Sequence, residues 1–282
     1  MGAHVLAVRK SMNDELLARQ MTAVPDLAIR VEGVSHAFPT PEDRPMLALD
    51  DVSFDVPRSQ FLSLVGASGC GKTTILNMTA GLIQPVAGTI TVNGERIARP
   101  SRRTGYMFAR DGLLPWRSAR SNIEVGLELR GVPLADRGAV GRRLLDMIGL
   151  GAFGHAYPWQ LSQGMRQRVA LARTLAIDPE TLLMDEPFAA LDAQTKLMLQ
   201  AEFLRIWERD RKTVLFVTHD LAEAVALSDR VIVLTRRPGR IQADIAIDLA
   251  RPRDPERIRF DERYLKLSEQ VWQALKAGEA AP

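Results

Sequence analysis

The chain of 282 residues has one cysteine, Cys70. A lone thiol builds no disulfide framework, so the fold has to rest on a buried core, and the scarcity suits a reducing compartment. Excess charge is also scarce. The 37 lysines and arginines stand against 34 aspartates and glutamates, leaving +3, too little to point to nucleic acid as a partner. No run of eighteen apolar residues occurs, so no stretch reads as a membrane-spanning helix. The start offers only AHVLAV before Arg9 and Lys10, too short for a secretory core. If this protein serves a membrane, another chain has to cross it. There is no internal repeat or low-complexity tract.

What remains is patterned. Residues 1–26 have polar breaks and no sustained period, and read as a loosely ordered extension. LAIRVEGV (27–34) and VSFDV (52–56) alternate apolar with polar, and TITVNGERI (89–97) carries Asn93-Gly94 between strand-like arms, which together predict an antiparallel sheet. FLSLV (61–65), TLLMD (181–185), VLFVT (214–218) and VIVLT (231–235) are continuous apolar runs, the pattern of parallel strands covered on both faces. Helical signals dominate from about 118 to 177, and Asp254 to Lys276 reads as a charged amphipathic helix. The expectation is an α/β chain: a mostly parallel core, an antiparallel β subdomain and a helical subdomain over about 110–177. The main domain spans 27–248, with a helical extension over 249–282.

GASGCGKTT runs from Gly66 to Thr74 between a buried strand and a helical stretch that ends near Gly81. This is the form of a phosphate loop. Gly66, Ala67, Ser68, Gly69, Cys70 and Gly71 supply backbone amides that wrap phosphate oxygens. Lys72 reaches the β- and γ-phosphates, the Thr73 hydroxyl ligates magnesium, and Thr74, next on the helix, completes the nucleotide-binding stretch. The plainer alternative is a glycine-rich turn with an incidental lysine, and Cys70 reads as a small filler within it. Nucleotide chemistry also needs a metal-holding carboxylate and a group to handle water. TLLMDE offers Asp185 for magnesium and Glu186 as general base; otherwise Asp-Glu-Pro merely ends a strand. In VLFVTHD, His219 follows another buried strand, where it is either structural or a γ-phosphate contact, and Asp220 and Glu223 are spaced to cap the next helix.

LSQGMRQR (161–168) adds a second anion site, because Ser162 is placed to cap a helix beginning near Gln163. The string resembles the signature motif of ABC ATPases. The order of phosphate loop, signature, TLLMDEP, AALD (189–192) and His219 matches that family almost continuously from about residue 27 to 248. The resemblance implies ATP and Mg2+ as cofactors and a P-loop NTPase core. It further implies that Ser162, Gln163 and Gly164 of one subunit close over ATP held by a second copy, with Asp192 of AALD among the nucleotide-binding residues. Phe38 occupies the place where such proteins stack an aromatic on adenine, the alternative being a core phenylalanine.

Within the family, LLPWR (113–117), SQGMRQRVALAR (162–173) and RPRDPE (251–256) are most similar to the ATPase subunits of nitrate, sulfonate and taurine importers. That implies uptake of a small anionic solute through a separate integral-membrane permease. It places the chain peripherally on the cytoplasmic face of the inner membrane, with a periplasmic or extracellular solute-binding protein as an indirect partner. Leu113, Leu114 and Trp116 would form the apolar floor that receives a short helix of the permease; alternatively Trp116 packs on the chain's own helices.

Two positions depart from the pattern. Gln163 stands where the family usually has a glycine, and Ala109 where it carries a glutamine whose carbonyl touches magnesium or water. Asp111 is the nearest oxygen ligand able to substitute; otherwise it pairs with Arg110 or Arg117. The rival functions are a nucleotide-dependent scaffold, and a soluble ABC ATPase not coupled to transport. A DNA- or ribosome-directed member would typically add a coiled-coil insertion, zinc cysteines or a second cassette, and the sequence has none.

Overall fold

A computed structural model describes residues 26–41 and 44–280; the expected extension over 1–26 lies, but for Asp26, outside the described residues. The alternating segments form a four-stranded antiparallel sheet from β1 (Leu27–Phe38), β2 (Met46–Pro57), β4 (Ala87–Val92) and β5 (Glu95–Arg96), in the order β2-β1-β4-β5. Asn93 and Gly94 both take positive φ, 53° and 79°, the two-residue turn that matches strand twist.

The apolar runs form the second sheet. It consists of β3 (Phe61–Val65), β6 (Thr104–Met107), β7 (Thr181–Asp185), β8 (Thr213–Val217), β9 (Arg230–Leu234) and β10 (Ile241–Ala246), in the order β10-β9-β3-β8-β7-β6. Every pairing is parallel except β10 with β9. All residues of β3, β7 and β8 are buried, which is why these strands show no alternation. Edge strand β10 has a single buried residue and no comparable apolar run.

Helix α1 (Lys72–Thr79) follows β3. The helical subdomain holds α2 (Ala119–Leu129), α3 (Leu134–Met147) and α4 (Gln163–Ala176), and α5 (Ala193–Asp210), α6 (Leu221–Leu227) and α7 (Glu262–Ala280) complete the chain. One core lies between the large sheet and the helices around Phe61, Phe188, Phe203, Trp207 and Phe216. A second joins the two sheets and α1 through Ile29, Val31, Leu62, Leu64, Ile75 and Leu76. In the third, Tyr264, Leu267 and Val271 of α7 pack against Val65, Val231 and Val233.

RPRDPE locks the segment after 248 to this body. Arg253 is buried, and its guanidinium donates to the carbonyls of Ser228 (2.6 Å), Ile247 (3.2 Å) and Leu249 (2.9 Å). Burial, reinforced by the charge of Arg251, lowers its pKa to about 10. Arg251 stacks 4.2 Å from the Trp207 ring centroid and pairs with Glu208 and Asp229.

Candidate active site at the carboxyl edge of the parallel sheet

Because β9, β3, β8, β7 and β6 run parallel, their carboxyl ends open on one edge, where open α/β sheets place ligands. The phosphate loop leaves β3, His219 leaves β8, and Asp185 and Glu186 leave β7. Strand order thus brings together groups separated by more than a hundred residues.

The loop can wind this tightly only with glycine at key points. Gly71 takes φ +103°, and a Cβ there would lie 2.4 Å from Leu49 Cδ2; one on Gly66 would lie 2.8 Å from Cys70 Sγ. Cys70 is buried within the core that joins the sheets, a filler as its sequence setting suggests. Lys72 opens α1 nearly buried, and its Nζ donates to the carbonyls of Gly66 (2.7 Å) and Ala67 (3.0 Å).

The Thr73 hydroxyl donates to Asp185 Oδ1 at 3.1 Å. Burial raises the Asp185 pKa; the Thr73 hydrogen bond opposes this, and the charge of Glu186 reinforces it. An under-solvated carboxylate beside a hydroxyl is a fitting seat for a hard cation. Among the described residues no group of three or more His, Cys, Asp or Glu is arranged to hold a metal. One carboxylate and one hydroxyl instead suit magnesium, which takes few protein ligands when it is shared with phosphate oxygens.

Glu186 is held in a left-handed backbone conformation, φ 47°. Its N–H donates to Val217 O at 2.9 Å, and Oε2 lies 3.1 Å from His219 Nδ1. His219 is mostly exposed, and the residues on both sides of it are fastened. Thr218 Oγ1 donates to Glu223 Oε2 (2.7 Å) and accepts from Asp220 N (3.0 Å). Asp220 caps α6 as its spacing predicts, accepting from the amides of Ala222 and Glu223. Lys196, a residue that sequence reasoning missed, reaches over from α5 to Asp220 (3.2 Å) and buried Glu223 (3.0 Å). Asp192 caps that same helix by accepting from Thr195 N at 3.0 Å.

Ser162 caps α4, accepting from Met165 N at 3.2 Å, and Ser162 and Gln163 are exposed. A Cβ on Gly164 would lie 3.4 Å from Leu191 Cδ2, so signature and AALD adjoin. Phe38 is partly buried, belongs to none of the three cores, and packs edge-to-face on His36 at 4.7 Å.

Residues 49–189 match the family model described as ABC transporter. The chain is 47% identical to an uncharacterized ABC transporter ATP-binding protein of Methanocaldococcus jannaschii, over 94% of this chain and 99% of that one. It is 40% identical to a taurine import ATP-binding protein of Rhizobium johnstonii (89% and 97% covered) and 42% to a nitrate import ATP-binding protein of Synechocystis (83% and 90%). The dimeric, post-hydrolysis structure of the ATP-binding cassette MJ0796 bound to ADP and Pi is similar with a TM-score of 0.73 at 28% identity, over 79% of this chain and all of that one. The chain belongs to the ABC transporter family. It is an ATP-binding subunit and an ATPase.

In this ABC ATPase the loop after β6 departs from what its sequence suggests. Asp111 pairs with neither Arg110 nor Arg117. Its Oδ2 accepts from Arg166 Nε at 2.9 Å and its Oδ1 from Leu113 N at 3.2 Å, while Arg117 binds Glu128. The carboxylate foreseen as a magnesium ligand is thus engaged by a guanidinium and an amide. Leu113 also differs from expectation. Gly112, with φ +52°, turns the chain inward, and Leu113 joins the helical core at 9% exposure instead of flooring a groove. Leu114 is half-buried, and Trp116 stands out at 70% exposure.

Three residues that sequence reasoning missed shape this loop. Arg173 donates to the carbonyls of Asp111 (2.8 Å) and Gly112 (2.7 Å). Buried Asn122 accepts from Leu114 N (2.8 Å) and donates to the carbonyls of Leu114, Arg117 and Ser118. Arg166, already named, completes the set. Bonds from Ala119 N to Ala156 O and from Arg120 N to Gly154 O bring an exposed aromatic pair nearby, Tyr157 stacked on Trp159 at 4.6 Å.

Proposed function

We propose that this ATPase is the energising subunit of an importer for a small anionic solute of the nitrate, sulfonate or taurine kind. The observation that carries the hydrolytic part is the pairing of Glu186 with His219 beside the Thr73–Asp185 contact, at the mouth of the phosphate loop. The importer reading is supported by relatives whose names specify taurine and nitrate import.

In this reading Lys72 turns its ammonium from the loop carbonyls to the β- and γ-phosphates, and the loop amides bind the remaining oxygens. Thr73 and Asp185 would hold magnesium, which would offset charge on the phosphate oxygens. Glu186 takes a proton from the attacking water. His219, oriented through Nδ1 by Glu186, turns its other ring nitrogen to the γ-phosphate, and Phe38 stacks on adenine. A second copy binds head to tail and lays Ser162, Gln163 and Gly164 over the nucleotide, with Asp192 alongside.

No helix among the described residues is long and apolar enough to cross a membrane. In this reading the chain works from the cytoplasmic face through a separate permease, which contacts exposed Trp116 and half-buried Leu114, while a solute-binding protein delivers the cargo. Asp111 serves to hold that contact loop, and solvent takes the place left by Ala109.

Replacing Glu186 with Gln tests this. The amide preserves shape yet accepts no proton, so the variant should bind ATP, accumulate as a dimer with it on size exclusion, and lose ~10²–10⁴-fold in turnover. Wild-type turnover in the variant overturns the assignment of the base. A wild-type chain that binds ATP without steady-state hydrolysis would favour the scaffold.

A further inference from the structure

The turn between β9 and β10 touches the phosphate loop from outside the motif. It is closed by Thr235, whose N–H donates to Arg240 O (2.9 Å) and whose Oγ1 accepts from Arg240 N (3.0 Å). Gly239 seats the turn on β2, donating to Ala48 O (2.9 Å) and accepting from Asp50 N (3.1 Å). A Cβ on Gly239 would lie 2.0 Å from Cys70 O, so only glycine allows the turn this near the loop. On the other side, Arg236 N donates to Gly278 O of α7 at 3.1 Å. The turn is therefore held by β2, by α7 and by its own hydroxyl clasp.

From this seat Arg237 extends over the loop. Its Nε and Nη2 lie 3.3 and 3.2 Å from Gly69 O, and Nη1 donates to Met46 Sδ. Met46 is the register partner of Phe38 across β1 and β2. Gly69 takes φ +76°, and a Cβ on it would lie 3.1 Å from Arg237 Nη2, so the guanidinium lies against the open face of that glycine. One exposed side chain thus joins the loop that binds phosphate to the strand ends proposed to hold adenine.

A peptide unit has a carbonyl at one end and an amide N–H at the other. Fixing the Gly69 carbonyl against a cation therefore fixes the plane of the N–H of Cys70, which donates to Ala67 O across the loop at 3.2 Å, and the fork geometry of arginine holds that plane better than a single ammonium. The geometry points to Arg237 as a positioning residue for nucleotide: through Gly69 it sets the phosphate loop in its anion-binding form, and its charge adds to the field met by the polyphosphate. This rests on the chain's being an ATPase, and it extends the nucleotide site to a turn that none of the four motifs includes.

Steady-state ATPase kinetics and direct titration with a fluorescent ATP analogue test it, in the full chain and in the variants Arg237→Ala and Arg237→Lys. Without the charge-assisted hydrogen bonds that brace the Gly69 carbonyl, the ATP KM and Kd of Arg237→Ala should rise about tenfold, with kcat within about twofold, because Glu186 and His219 stay in place. Arg237→Lys should recover part of the affinity, and recover less of it at high salt, where a point charge is screened. Thermal stability without nucleotide should be unchanged, since the side chain is exposed. Unchanged KM and Kd in Arg237→Ala, a loss confined to kcat, or a weakened KM accompanied by an equal fall in stability would each overturn the positioning role. Failure of the wild-type chain to hydrolyse ATP would instead strike the ATPase reading, and the two failures are told apart by that control.

Discussion

Arg166 and Asp111, 55 residues apart, meet at 2.9 Å between Nε and Oδ2. The first lies one turn into the helix capped by Ser162, and the second opens the loop that presents Trp116. Arg173, two turns further along, grips the same loop through two carbonyls. The helix proposed to close over a partner's ATP and the loop proposed to touch the permease thus share a rigid connection.

Breaking that connection should uncouple the two ends. Asp111→Ala should preserve the ATPase rate of the isolated chain, remove most of its stimulation in the assembled transporter, and lower stability by only about 1 kcal/mol, as for other partly exposed ion pairs. Magnesium titration of the ATPase gives the decisive number. A higher requirement in the variant would return Asp111 to the metal site.

Leu113 and Trp116, three residues apart, should behave oppositely. Leu113→Ala should cost ~2–5 kcal/mol, because it opens a cavity in the helical core. Trp116→Ala should leave thermal stability and ATP affinity alone and weaken association with the permease by ~2 kcal/mol or more. Paired melting curves and pull-downs would show both. Strong destabilisation by Trp116→Ala would defeat the interface assignment.

Lys196 faces a carboxylate that burial disfavours. Burial raises the Glu223 pKa, while the Thr218 hydrogen bond and Lys196 pull it back. Lys196→Met should therefore cost about 3 kcal/mol at neutral pH, where a buried charge loses its partner. A carboxyl whose folded pKa exceeds its unfolded one contributes stability below the unfolded value, and that contribution is lost as pH rises through the folded value. The deficit of the variant should thus shrink as pH falls through the carboxylate range. Urea unfolding at both ends of that range measures it; a deficit that does not vary with pH would show that Lys196 acts by packing alone.

Much of this was legible in the sequence because it was local. FLSLV, TLLMD and VLFVT carry their double-sided burial in composition, Asn93-Gly94 specifies its turn, and Ser162 and Asp220 cap the helices their spacing predicts. The phosphate loop announces itself through glycines that the packing then requires. What escaped notice depends on partners brought from afar. Asp111 finds Arg166 instead of its neighbours Arg110 and Arg117, and Glu223 finds Lys196 on another helix. Leu113 turns inward because Gly112 adopts positive φ, which a one-dimensional pattern does not disclose. Strand β10 went unnamed because an exposed edge places little demand on side-chain type.

Glu186 occupies a left-handed backbone conformation, which disfavours a side chain by roughly 1–2 kcal/mol. Glycine would relieve that strain and leave the amide bond to Val217 O intact. In a laboratory evolution campaign screened on heat resistance alone, codon 186 is therefore a trap: the library member that survives longest there is the one stripped of its carboxylate, and a screen that also reads phosphate release would be needed to keep the wild-type residue.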